Sequence, residues 1–194
     1  MKIYGIIFLL MATIATQSPA AGVGIFGSYW DPSDVGSETG AGITLRLNAG
    51  QNLLMDLRGS YFSFNRQDLV PGAGNTTKWE VIPLELSIIT RLSPAPDFVP
   101  YVGAGIGYYT AEGEFTVGNQ KSDLDVDSEI GYSLSAGVDI KINRTFNLFA
   151  EAKYVWVTFD KARIPETASL PASGTDFEIK MNGMLVNLGL VMRW

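Results

Sequence analysis

The sequence contains no cysteine and no histidine. Without cysteine no disulfide can staple the chain, and without either residue no Cys/His zinc or haem site can form. Without an imidazole, Ser-His and Cys-His nucleophilic catalysis are excluded, which leaves Asp and Glu carboxylates as the ordinary acid/base groups. Charge is scarce too: 18% of the 194 residues, below the roughly 25% usual in soluble domains. The balance is acidic, 14 Lys and Arg against 20 Asp and Glu, which argues against a nucleic-acid partner. Mean hydropathy is nonetheless +0.14, although no internal run approaches the ~18 apolar residues of a membrane helix. The length fits one domain.

Residues 1–20 read as an address. Lys2 is a short positive region, Ile6 to Ile14 an apolar stretch too short to span a bilayer, and Ser18 and Ala20 the small residues of a cleavage site. This pattern is a secretory signal peptide, cleaved near Ala20. The domain is then 21–194, and the mature chain becomes more acidic by the loss of Lys2.

After residue 21 the chain alternates with period two, the mark of strands with two unlike faces. Seven strands can be phased, near 41–48, 52–64, 79–92, 98–110, 129–142, 146–159 and 180–194. One face carries only uncharged, mostly apolar residues, such as Leu53, Met55 and Leu57, or Met184, Val186, Leu188 and Leu190. The other carries Arg46, Asp56, Arg58, Glu85, Arg91, Asp139, Lys141, Glu151, Lys153 and Arg193, separated by Gly, Ser and Asn. A soluble sandwich would bury the apolar face and a membrane barrel would bury the polar one, so alternation alone does not decide. An eighth strand fits 22–30, with Val23, Ile25 and Tyr29 competing against Phe26 and Trp30 for the apolar face.

Two further patterns favour the barrel. Connections alternate between short (49–51, 93–97, 143–145) and long (31–40, 65–78, 111–128, 160–179), as in barrels with short periplasmic turns and long outer loops. The long segments hold 14 acids and 5 bases when counted over 31–40, 65–78, 111–129 and 160–178. Tyr61, Tyr108 and Trp156 close apolar rows at the long-loop end, and Phe98, Phe146 and Trp194 at the short-turn end. That is the placing of interfacial aromatic girdles.

The last residues, Asn187-Leu-Gly189-Leu-Val-Met192-Arg-Trp194, resemble the assembly signal that closes bacterial outer-membrane proteins, with Asn187, Gly189, Met192 and Trp194 at the signal positions. Val99-Pro-Tyr-Val-Gly-Ala-Gly-Ile-Gly-Tyr-Tyr109 and Leu148-Phe-Ala-Glu-Ala-Lys-Tyr154 are similar to strands of the OmpA/OmpX/OmpW-like outer membrane protein β-barrel domain. The resemblance covers the whole mature chain. It implies an all-β fold, an eight-stranded antiparallel up-and-down transmembrane barrel in the bacterial outer membrane. Expected partners are outer-membrane lipids, lipopolysaccharide and the assembly machinery. A monomer is expected.

An eight-stranded barrel has room inside for side chains only, so the ten polar-face charges should meet in a mixed network. Register from the short turns places Arg46, Arg91, Lys141 and Arg193 low, with Asp139 near them. Asp56, Glu85 and Glu151 fall nearer the middle, with Arg58 and Lys153. The reading that follows is a non-enzymatic barrel with a structural or surface role, a charge-filled lumen and acidic loops. The alternative is a narrow porin-like conduit for small, including hydrophobic, solutes. No metal site, cofactor or catalytic residue is expected. Asp123, Asp125, Asp127 and Glu129 alternate but lack the Gly and terminal Glu of a calcium loop. They fit a solvated hairpin arm turning near Gly118-Asn119, and a weak divalent-ion or lipopolysaccharide contact stays open.

Overall fold

The computed structural model describes residues 21–67, 75–92, 97–117, 120–163 and 176–194. Residues 1–20, and with them the signal-peptide reading, lie outside the described residues, as do Gly118 and Asn119.

Among the described residues eleven strands form: β1 (Ala21–Pro32), β2 (Glu38–Asn48), β3 (Leu53–Gln67), β4 (Asn75–Arg91), β5 (Phe98–Val117), β6 (Gln120–Val126), β7 (Glu129–Lys141), β8 (Phe146–Trp156), β9 (Thr158–Arg163), β10 (Asp176–Lys180) and β11 (Gly183–Arg193). Eight of them, β1 to β5 with β7, β8 and β11, make a closed antiparallel barrel. Chain neighbours pair in turn, β7 following β5, and the ring closes between β1 and β11 from Gly22↔Arg193 to Pro32↔Gly183. Closure removes the open edges that a sheet in lipid could not hydrogen-bond. The expected fold class holds.

The other three strands extend this barrel at the long-loop end. β6 continues the β5 hairpin, from Val117↔Gln120 down to Gly113↔Leu124. β9 and β10 pair with each other, and β9 meets β6 at Asp125↔Arg163 and Val126↔Ala162. Much of what reads as long loop is therefore paired strand. The 111–128 segment is corrected most, with 111–117 in β5 and 120–126 in β6; in 31–40, β1 and β2 cover the ends and residues 33–37 connect them. Gly36 turns there with φ of 77°, a left-handed conformation that suits glycine.

Which face is inside is plain from exposure. Ile88, Leu134, Leu188 and Ile25 are more than half exposed, while Asp56, Arg58, Glu151 and Lys153 are nearly inaccessible. The apolar rows thus point outward around the barrel. Strand β1 joins that pattern with Val23, Ile25 and Tyr29 outward and Phe26 and Trp30 buried inside. Leu45 has the outward parity yet is only 3% exposed. Exposed rings lie near both ends of the apolar band: Tyr29, Tyr61, Tyr108, Tyr132 and Trp156 toward the long connections, Phe98 and Trp194 toward the short turns.

Candidate functional site: the barrel lumen

The lumen is built in layers because every inward row changes character along its strand. On β3, Asp56 and Arg58 are followed inward by Ser60, Phe62 and Phe64. On β4, going the same way, Glu85 gives way to Pro83, Val81 and Trp79. On β8 and beyond, Glu151 and Lys153 give way to Val155, Val157 and Phe159. The polar parts of these rows meet at mid-barrel and the apolar parts meet above them.

The middle layer is an ion-pair network. Arg58 donates Nη2 to Asp56 at 2.7 Å and Nη1 to Glu151 at 2.5 Å, bridging two carboxylates from strands on different sides of the barrel. Arg46 donates Nε to Asp56 at 3.1 Å and Nη1 to Asp139 at 2.6 Å. Lys153 pairs with Glu85 at 2.9 Å. Neutral donors fill remaining lone pairs. Tyr101 Oη donates to Glu151 at 3.1 Å, Asn187 Nδ2 to Glu151 at 3.0 Å and Tyr109 Oη to Glu85 at 3.0 Å. The Thr44 hydroxyl donates to Asp56, and Ser28 Oγ donates to Asn187 Oδ1 at 2.5 Å. All seven charged members are 5% exposed or less. Burying charge is tolerable only when partners and hydrogen bonds compensate it.

Aromatic rings brace the guanidinium groups. Phe149 lies between them, with the Arg46 guanidinium carbon 4.3 Å from its ring centre and that of Arg58 5.4 Å. Such contacts add cation–π attraction that grows with desolvation. Room for the rings comes from glycine opposite. A Cβ on Gly137 would sit 2.5 Å from the Tyr101 ring, and one on Gly189 2.5 Å from Phe149.

Above this layer lies an apolar one that sequence reasoning missed. Trp30, Val35, Phe62, Phe64, Trp79, Val81, Tyr109, Ala111, Val155, Val157, Phe159, Ile179, Met181 and Leu185 form one buried cluster. Trp30 packs edge-on to Phe62 and Phe64, with ring centres 5.2 and 5.9 Å apart. The Nε1 atoms of Trp30 and Trp79 have no hydrogen-bond partner among the described residues. The signal was present in the polar-parity rows, which turn apolar toward the long connections.

Below the network the lumen narrows to a cavity of about 20 Å³ lined by Arg46, Arg91, Asp139, Asn147 and Arg193 among others, enough for one water-sized group. Arg46 Nη2 has no partner among the described residues.

Of the ten charges expected in the network, the structure brings seven together: Arg46, Asp56, Arg58, Glu85, Asp139, Glu151 and Lys153. Arg91 and Arg193 line the small cavity, and Lys141 is exposed at the short-turn rim. Arg91 and Arg193 share that cavity with Asp139, whose described ion pair is with Arg46. Of the four signal positions, Asn187 belongs to the network, Gly189 is buried against Phe149, and Met192 and Trp194 are exposed on the outer face. Glu129 opens β7 and Asp127 lies exposed just before it, and the side chains of Asp123 and Asp125 lie outside the described residues.

No curated protein matches this sequence. Among solved structures, the chain is similar to Neisserial surface protein A, at 14% identity over 91% of this chain and all of that one, TM-score 0.65. It is similar to Escherichia coli outer membrane protein W, at 17% identity over 92% of this chain and all of that one, TM-score 0.58. The attachment invasion locus protein of Yersinia pestis matches at 12% identity over 92% of this chain and all of that one, TM-score 0.54. These likenesses bear on fold. The family model described as outer membrane protein beta-barrel domain matches residues 6–193. The closed barrel, its outward apolar band and this match over nearly the whole sequence agree: the chain belongs to the outer membrane protein β-barrel domain family, whose place is the bacterial outer membrane.

Proposed function

We propose that this protein is a sealed, non-catalytic barrel with a structural and surface role in the outer membrane. One observation supports the reading: seven buried, mutually paired charges and a fourteen-residue apolar cluster lie inside the barrel. In a low-dielectric lumen such a network holds position, because breaking a pair strands a charge. The carboxylates are committed to arginine and lysine partners, which supports a structural role for them over acid/base chemistry. The acidic residues concentrate in the long segments, supporting an acidic outer surface that meets lipopolysaccharide and solvent. Asn187, Gly189, Met192 and Trp194 serve as the signal read by the assembly machinery, and Gly189 also makes room for Phe149. The functional unit is a monomer needing no cofactor or metal, and an export signal over 1–20 delivers it.

Proteoliposome swelling tests the seal. Vesicles containing the protein should swell no faster in small sugars or amino acids than empty vesicles. Solute-dependent swelling would instead support a porin-like conduit. The apolar upper layer, with two unpartnered indole N–H groups, is the observation that favours a conduit for hydrophobic solutes. Uptake of an apolar fluorophore into the lumen, competed by small alkanes, would support that second reading.

A further inference from the structure

A second cavity lies at the short-turn end, outside the network. It measures about 230 Å³ and is lined by Lys141, Arg144, Arg193 and Trp194. We propose that it binds the phosphate of an anionic phospholipid headgroup in the periplasmic leaflet.

Three of the four lining residues are cations, and none belongs to the ion-pair network above. Their positions are held by backbone. Ile142 N and Asn143 N donate to Phe146 O at 3.0 and 3.2 Å. The Asn143 side chain accepts from Thr145 N and Phe146 N, each at 2.8 Å. Arg193 N donates to Thr145 O at 2.7 Å, tying the last strand to the same turn. The backbone that carries Lys141 at the end of β7, Arg144 in the turn and Arg193 on β11 is thereby tied together around one space, which lowers the part of the ordering cost that the main chain would add.

The choice of a lipid over a free anion rests on what adjoins the cations. Ile142 is 58% exposed and Trp194 52%, and Ile140 and Met192 face outward on the same strands. A headgroup in the cavity would have its acyl chains along this apolar surface, at the aromatic level where headgroups sit. Three cations favour an anionic head over a zwitterionic one, each adding about fivefold in affinity at a membrane surface. The volume is below the roughly 300–1,000 Å³ of drug-sized sites, which suits a phosphate with its glycerol rather than a large soluble ligand. The site is independent of whether the lumen is sealed.

Native mass spectrometry of the full chain, released from detergent with added phosphatidylglycerol or phosphatidylcholine, tests this. Phosphatidylglycerol should be retained as one tight equivalent and phosphatidylcholine should not. Arg144→Gln should weaken retention by about fivefold, and Lys141→Gln, Arg144→Gln and Arg193→Gln together by about a hundredfold. Lys78→Gln, a cation at the opposite end, should change nothing. Folding of each variant is read from its gel migration before and after boiling, and Arg144→Gln alone decides the matter if the triple variant does not fold. Equal retention of the two lipids, or equal loss in the Lys78 control, overturns the proposal. Displacement of phosphatidylglycerol by millimolar inorganic phosphate overturns the lipid assignment in favour of a soluble anion.

Discussion

Glu151 is the residue on which most of the lumen converges. It accepts from both Nη atoms of Arg58, from Tyr101 and from Asn187. Glu151→Gln would leave Arg58 with Asp56 alone, and Asp56 already serves Arg46. Removing one partner of a buried pair costs about 3–5 kcal/mol, so urea unfolding of the refolded variant should show a loss of that order. Gly137→Val drives a side chain into the Tyr101 ring, and overpacking of this kind costs about 1–3 kcal/mol. It should appear as a lower unfolding midpoint with unchanged strand content. Parity told the sequence reader that Arg58 and Glu151 face inward. It could not tell that they meet, because contacts across a barrel depend on strand tilt and stagger, and these residues are 93 positions apart. Arg91, Lys141 and Arg193 share that parity and stand outside the paired set, Arg91 and Arg193 in the small cavity and Lys141 exposed at the rim.

The strands themselves outrun the membrane. A spanning strand needs about 9–11 residues, while β3 has 15, β4 has 17 and β5 has 20. Their surplus carries the β5–β6 arm and the apolar upper layer. These stretches, such as Asn75-Thr-Thr-Lys-Trp-Glu80 and Thr110-Ala-Glu-Gly-Glu-Phe-Thr-Val117, read as loop, since polar residues dominate and no apolar alternation marks an outer face. Pairing partners supply what the sequence pattern does not, namely a continuous ladder from Arg91↔Tyr101 to Asn75↔Val117. The arm meets the remainder of the sheet at four residue pairs with β4, from Asn75↔Val117 to Lys78↔Glu114, and at two with β9, while the ring closes elsewhere, between β1 and β11. Replacing 114–123 with an Asn-Gly turn removes the four β4 pairs and leaves the β1–β11 closure intact, so the barrel should still form. Heat-dependent gel migration should persist, and its loss would mean the arm helps to hold the barrel.

At the scale of the molecule, low charge with positive mean hydropathy and no long apolar run resolves into one arrangement. Apolar residues sit on alternate positions around the outside, seven charges lie inside, acids gather toward the long connections and bases toward the short turns. Leu86 faces outward and is 42% exposed, so Leu86→Arg should cost roughly 2–4 kcal/mol near the bilayer midplane. Vesicle refolding equilibria would measure it, and an unaffected variant would place that face elsewhere. The four tryptophans divide in the same way. Trp156 and Trp194 should be quenched by brominated lipids, and Trp30 and Trp79, 0% and 4% exposed, should be protected from both brominated lipid and aqueous quencher. The outward rows and the aromatic levels were legible in the sequence because lipid and water impose period-two rules on it. The aromatic upper lumen was not, because a buried ring on a polar row breaks that rule locally and only its neighbours across the barrel explain it.

The claim that joins these scales is that the paired charges and the aromatic layer close the lumen. Single-channel recording of the purified, refolded protein in a planar bilayer tests it most directly. The account predicts a silent membrane at all holding potentials the bilayer tolerates, and discrete, reproducible conductance steps from the wild-type protein would contradict it.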